Sequence, residues 1–192
     1  MSKRRIGLFF GSFNPIHTGH MIIANLAHSY DLVDEIWFVV SPQNPHKKSG
    51  SLLPEQDRID LVREAIKDDY YFRASDIEFQ LPKPSYTVNT MTFLGEKYPD
   101  YDFRLIIGED NLASFPRWKN YEVLLNYGLI VYPRPNSKPS ELKDHPKVSW
   151  MEAPKVDISA TLIRKLVESG KSIKYLVPQT VAELIEARKY FI

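Results

Sequence analysis

The chain has 192 residues, with 25 Lys+Arg against 24 Asp+Glu, a formal net charge of +1, 43% hydrophobic and 26% charged residues. Those proportions suit a soluble globular protein with one domain over residues 1–192, exclude an intrinsically disordered chain, and argue against a non-specific nucleic-acid binder, which carries a basic excess. The lack of cysteine excludes disulfides, thiolate nucleophiles and Cys-ligated metal, and points to the reducing cytoplasm.

In chain order, the first apolar run is Leu8-Phe9-Phe10, a strand, followed by a helical pattern at Ile23, Leu26, Ala27 and Tyr30. From Ile6 to Tyr30 there is no Asp, Glu, Lys or Arg. This span is neither a signal peptide nor a membrane crossing, because it breaks after Phe10 and would strand Asn14, His17 and His20 in hydrocarbon. A second strand is expected at Ile36 to Val40. Helical spacing follows at Ile59, Val62 and Ile66 after Pro54, and again at Val88, Met91, Leu94 and Tyr98 after Thr87. Two more continuous apolar runs, Leu105 to Ile107 and Leu129 to Tyr132, read as strands covered on both faces. Pro133 to Pro146 is a surface excursion with one short helix expected around Glu141. A strand near Val148 to Met151 then precedes two helices, starting near Ser159 and Pro178. The alternation describes a doubly wound α/β fold: a Rossmann-like parallel sheet with helices on both faces and a C-terminal helical segment.

Chemistry concentrates after the first strand, in Gly11-Ser12-Phe13-Asn14-Pro15-Ile16-His17-Thr18-Gly19-His20. In an open α/β sheet, ligands collect at the carboxyl ends of strands. Gly11 permits close backbone approach, the helix beginning at Thr18 offers free N–H groups, and two imidazoles three residues apart point the same way. Together these form a phosphate cradle, although neither the P-loop nor the dinucleotide glycine pattern is present. A second anion site is expected where Ser159 caps a helix that carries Thr161 and Arg164 in its first turns. Incidental loop histidines and a capped surface helix are the bland alternatives, and the two motifs occurring together disfavour both.

His17-Thr18-Gly19-His20 matches the H-x-G-H signature of a nucleotidyltransferase superfamily, and Ile158 to Arg164 is similar to its I-S-S-T-x-x-R element. Pro45-His46-Lys47, Ser85-Tyr86-Thr87, Gly108-Glu109-Asp110-Asn111, Trp118-Lys119 and Val131 to Pro135 extend the likeness. In order and spacing the chain resembles bacterial nicotinate-nucleotide adenylyltransferases from Ile6 to near its C-terminus. The resemblance implies transfer of AMP from ATP to nicotinate mononucleotide, giving nicotinate adenine dinucleotide and pyrophosphate in NAD biosynthesis. It implies catalytic roles for His17, His20, Lys47 and Arg164. ATP would meet these histidines and Arg164 together with Gly11, Ser12, Phe13, Gly19, Asp110, Arg134, Ser159 and Thr161. The acceptor would meet Ser12, Phe13, Lys47, Tyr86, Thr87, Trp118 and Lys119.

Two residues depart from the family pattern: Asn14 stands where many relatives have aspartate, and Ala160 replaces a serine. With no carboxylate at position 14, Mg²⁺ is expected to arrive on the triphosphate oxygens rather than in a protein cage. Neither nucleic acid nor membrane is an expected partner, and homo-oligomerisation is left open. Phosphopantetheine adenylyltransferase shares the H-x-G-H element and is the rival enzyme. Cytidylyltransferases of the superfamily are typically shorter, and a non-catalytic nucleotide-binding domain would not need His17, His20 and Arg164 intact.

Overall fold

The computed structural model describes residues 3–42 and 52–192. Among them, six strands form one parallel sheet: β1 (Arg4–Gly11), β2 (Glu35–Val40), β3 (Phe72–Ser75), β4 (Tyr101–Gly108), β5 (Leu129–Tyr132) and β6 (Val148–Trp150). Their spatial order is β3-β2-β1-β4-β5-β6, every neighbouring pair being parallel. This is the Rossmann-like arrangement expected from the sequence, and its order reverses between β1 and β4.

The continuous apolar runs supply both faces of the sheet by simple alternation. On one face lie Phe9, Ile36, Phe38, Val40, Ile106 and Ile130. Ile6, Leu8, Trp37, Val39, Leu105, Ile107 and Val131 point to the other. The first face is covered by α1 (Thr18–Ser29), α2 (Glu55–Ile66), α6 (Ala160–Glu168) and α7 (Gln179–Ala187), through buried residues such as Ile23, Ile59, Ile163 and Val181. The second is covered by α3 (Thr87–Lys97), α4 (Glu109–Ser114) and α5 (Tyr121–Asn126), through Met91, Leu94, Leu112 and Leu124. The helical spacings read from the sequence therefore mark the buried faces of α1, α2 and α3.

The structure departs from the sequence reading at three kinds of place. β3 was not expected: its four residues include the exposed Arg73 and make no continuous apolar run, as befits an edge strand. α4 and α5 have six residues each, too few to display helical periodicity. No helix forms around Glu141, where the chain makes turns instead. Pro139 and Pro146 bracket that stretch, and it offers Leu142 alone as an apolar residue to pack.

Between β3 and α3 a 3₁₀ turn at Ile77–Gln80 buries Glu78, which is 2% exposed. Its Oε1 accepts a hydrogen bond from the Thr90 hydroxyl of α3 at 2.7 Å, which ties the turn to the helix. Hydroxyl partners only partly satisfy a buried carboxylate, and burial raises the Glu78 carboxyl above its ordinary value of 4.5. The folded chain therefore ionises this group later than the unfolded chain does. Its stabilising share is complete below about pH 4.5 and fades as pH rises through the raised value. Glu78→Gln keeps the shape without the charge, so it should gain stability relative to the parent as pH goes from about 4 to about 8. Urea unfolding across that range checks this, and a difference independent of pH would remove Glu78 ionisation from the account.

Candidate active site

At the reversal between β1 and β4, the helices leaving the two strands diverge to opposite faces and open a crevice. It forms a cleft of about 380 Å³, bounded by the loop after β1, the ends of β4 and β5, and the start of α6. From the β1 loop come Gly11, Ser12, Phe13, His17, Gly19 and His20. From across the cleft come Asp110, Trp118 and Arg134, and from α6 and its cap Ser159, Thr161 and Arg164. Tyr86, Thr87 and Lys119 do not line it. They sit to one side, with the Lys119 ammonium 4.5 Å from the centre of the Tyr86 ring. Lys47, with its neighbours Pro45 and His46, lies outside the described residues.

The loop owes its shape to packing and to two arginine contacts. Phe13 has φ +43°, an unusual conformation for a side-chain-bearing residue, and its ring is buried edge-on against Phe9, Phe38 and His20. A Cβ at position 11 would meet that ring at 2.8 Å, which is why glycine stands there. Asn14, the departure noted in the sequence, is 4% exposed. Its side-chain oxygen accepts from the Leu53 N–H at 3.1 Å, and its carbonyl accepts from Arg164 Nη1 at 2.8 Å. Here Asn14 ties the loop to two other segments.

His17 and His20 stack with ring centres 3.7 Å apart. The His17 N–H donates to His20 Nδ1 at 3.2 Å, so in the neutral His20 ring the proton is on Nε2. Gly19 leaves room for the pair, since a Cβ there would lie 3.1 Å from His17 Nδ1. Burial, with the Arg134 charge adding to it, pushes the His17 imidazole down to about 4. His17 is therefore neutral at pH 7. The start of α1 is less open than the sequence suggested. Thr18 N–H donates to the Leu176 carbonyl at 2.9 Å, its hydroxyl donates to the Tyr175 carbonyl at 3.0 Å, and the His20 N–H donates to His17 O. With some N–H groups of the first turn engaged, side chains carry more of any anion site there.

At α6, Ser159 is the N-cap, its hydroxyl oxygen accepting from the Leu162 N–H at 3.2 Å. Arg164 reaches back from the next turn, and its Nη2 donates to the Thr161 hydroxyl at 3.3 Å. Across the cleft, Arg134 Nε lies 3.9 Å from Asp110 Oδ1, and its backbone N–H donates to Glu109. Asp110 is the cleft's carboxylate, and among the described residues no group of three or more His, Asp or Glu could hold a metal ion. Sequence reasoning missed Tyr132, whose phenol burial pushes up to about 12, and the run Pro154, Val156 and Ile158, which closes one side of the cleft. The signal for that run was available, because Val156 and Ile158 alternate like a strand just before the cap at Ser159.

Comparison with known proteins agrees with this geometry. The cytidylyltransferase-like family matches residues 8–166. The probable nicotinate-nucleotide adenylyltransferase of Cytophaga hutchinsonii is 60% identical over 189 residues, covering 97% of this chain and 98% of the relative. Its counterpart in Flavobacterium johnsoniae is 48% identical, with coverage of 97% and 98%. Among solved structures, the Plasmodium falciparum nicotinic acid mononucleotide adenylyltransferase complexed with NaAD superposes with a TM-score of 0.82. It is 21% identical, with 98% of this chain and 97% of that chain covered, a likeness of fold. Among the described residues no helix is long and apolar enough to cross a membrane. With relatives this similar along almost its whole length, and the H-x-G-H imidazoles stacked at the reversal of the sheet, the chain belongs to the nicotinate-nucleotide adenylyltransferase family, within the cytidylyltransferase-like nucleotidyltransferases.

Proposed function

We propose that this cleft carries out AMP transfer from ATP to nicotinate mononucleotide, releasing pyrophosphate and forming nicotinate adenine dinucleotide for NAD biosynthesis in the reducing cytoplasm. The observation that carries the reading is the convergence of the stacked His17–His20 pair with Arg134 and Arg164 in one cleft. A volume of about 380 Å³ suits small-molecule substrates.

The acceptor phosphate is already mostly ionised at neutral pH, since its second pKa is about 6. One of its oxygens attacks the α-phosphorus of ATP, and the electron pair of the breaking bond goes to the oxygen that bridged the α- and β-phosphorus, which leaves as a terminal oxygen of pyrophosphate. No general base is required. The protein aligns the two phosphates and stabilises charge as it moves onto the leaving group. His20 Nε2–H and the neutral His17 supply hydrogen bonds. Positive charge comes from Arg134 and Arg164, and from Lys47 as the family pattern implies. Two imidazolium rings stacked 3.7 Å apart would repel, so the pair serves better as donors than as charges. Mg²⁺ enters as part of the nucleotide substrate. The cleft's carboxylate, Asp110, faces Arg134 and offers it no site of several protein ligands.

On the acceptor side, Trp118 lines the cleft, and Tyr86, Thr87 and Lys119 lie beyond it at the start of α3. The first N–H groups of a helix have no partner within it, so this corner presents donors, and a carboxylate is an acceptor only. The pyridine ring would lie against Trp118, with its carboxylate toward Thr87 and Lys119. A panel of phosphate acceptors with ATP and Mg²⁺, scored for pyrophosphate, tests the assignment. Turnover with phosphopantetheine in place of nicotinate mononucleotide would overturn it.

The same panel measures acid against amide. Nicotinamide mononucleotide turns one acceptor oxygen into an NH₂ facing donors, which costs about 1–3 kcal/mol in addition to the lost charge assistance. kcat/KM should therefore favour the acid by at least about 10²-fold, and a ratio near one would remove the donor corner from the account.

For His20→Ala, kcat should fall by about 10²-fold or more with little change in ATP binding, because its donor acts mainly in the transition state. A kcat within a few-fold of the parent would take His20 out of the reaction.

His17 gives a stability signature of its own. Its ordinary value is 6.5 and its folded value about 4, so its stabilising share is complete above about pH 6.5 and lost as pH falls toward about 4. Between about pH 7 and about pH 4.5 the parent should lose about 2 kcal/mol more than His17→Asn, as read by denaturant unfolding. Parallel losses would mean that His17 is not held neutral.

A further inference from the structure

Arg58, on α2, is fully buried at 0% exposure, yet its guanidinium makes no hydrogen bond to a carboxylate among the described residues. Instead it donates to four backbone carbonyls. Nε reaches Leu53 at 3.0 Å, Nη1 reaches Ser12 and Ser41 at 2.7 Å each, and Nη2 reaches Pro42 at 2.9 Å. Burying a cation with no carboxylate hydrogen-bonded to it is costly, even with the Glu55 charge acting on it, and a stretch of chain that needed only filling would be served by an apolar side chain. The four acceptors show what the cation does. Ser12 belongs to the loop after β1, Ser41 and Pro42 directly follow β2, and Leu53 precedes Pro54, the N-cap of α2. One planar group thus joins three segments at the carboxyl edge of the sheet.

The residues it holds are next to the reacting groups. Leu53, gripped through its carbonyl by Arg58, donates its N–H to the Asn14 side chain, and Arg164 donates to the Asn14 carbonyl. The carbonyls on both sides of Phe13, those of Ser12 and Asn14, are therefore each held by an arginine, one behind the loop and one in front. Phe13, at φ +43° between them, packs its ring 5.1 Å from that of His20.

We propose that Arg58 is a positioning residue for adenylyl transfer: by holding Ser12 against Leu53 and the end of β2, it sets Phe13 and hence the His17–His20 donors where the triphosphate must lie. The inference rests on the proposed function. A fork of five N–H donors can serve four carbonyls at once, whereas the three donors of a lysine on a different stem cannot.

The test compares Arg58→Met and Arg58→Lys with the parent, measuring kcat and both KM values at a temperature well below each variant's own Tm. Displacing reacting groups by about 1 Å costs about 10²-fold. Arg58→Met should accordingly lose about 10- to 10²-fold in kcat, with each KM within about 3-fold of the parent, and Arg58→Lys should fall between the two. Folded variants with parental kcat, or a change confined to KM, would overturn the proposal, because a residue that only stabilises the fold lowers Tm and leaves kcat per folded molecule untouched. If neither variant folds, Arg58 belongs to the fold alone and the proposal fails. A parent chain inactive with nicotinate mononucleotide would instead overturn the functional reading and this inference with it, whereas an active parent with equally fast variants overturns only the inference.

Discussion

Everything in this molecule that can bind a nucleotide depends on one constraint of the parallel sheet, the reversal of strand order between β1 and β4. A right-handed crossover carries each connection to a fixed face, so the chain leaving β1 and the chain leaving β4 must part company there. Among the described residues, core side chains such as Phe9, Ile23 and Ile106 line the gap they leave without closing it. Gly11 and Gly108 end the two strands, and both line the cleft. The loop after β1, the turn into α4 and the cap of α6 then supply functional groups to a space whose position is already set by topology.

The electrostatics of that space follow from its depth. A histidine buried as His17 is, with Arg134 nearby, has given up its proton well below neutral pH. Imidazoles chosen for charge would be badly placed here. As a neutral donor, the role proposed above, His17 is well placed, and the permanently charged guanidiniums of Arg134 and Arg164 would supply the charge that a buried histidine does not hold. Tyr132, a phenol that burial pushes further up to about 12, adds a wall without adding charge. The cleft offers cations and hydrogen-bond donors opposed by one carboxylate, Asp110, which suits a substrate that arrives rich in phosphate oxygens.

Much of this was legible in the sequence, and the reasons are specific. β1, β2, β4 and β5 are covered on both faces, and that covering leaves the unbroken apolar runs that announced them. The H-x-G-H segment pointed to the cleft because two imidazoles and a glycine-rich turn sit between a strand and a helix at a strand's carboxyl end, where an open sheet collects its ligands. What was not legible depended on contacts between segments far apart in the chain. Among the described residues β3 pairs with β2 alone, and it carries an exposed Arg73, so no local run betrayed it. Likewise, the helix start at Thr18 looked open because nothing nearby in sequence could show that the carbonyls of Tyr175 and Leu176 would close over it. Asn14 read as a missing metal ligand, whereas its part in the fold is to join Leu53 and Arg164.

The chemistry explains why so many buried polar contacts gather behind one loop. Where a reaction needs a general base, proton transfer by that base supplies part of the rate enhancement. Transfer of AMP to an already ionised phosphate has no such step, and its rate depends on donors lying in place before charge moves. A loop free to relax would have to reorganise its dipoles during the reaction and lose that advantage. Here the loop is held by Arg58 from behind, by Arg164 from in front, by the buried ring of Phe13 beneath, and at its helical end by the C-terminal carbonyls on Thr18. Each contact joins it to a different element of the fold: α2, α6, β2 and the turn before α7. The histidines are thereby tied to the elements that build the sheet and its cover.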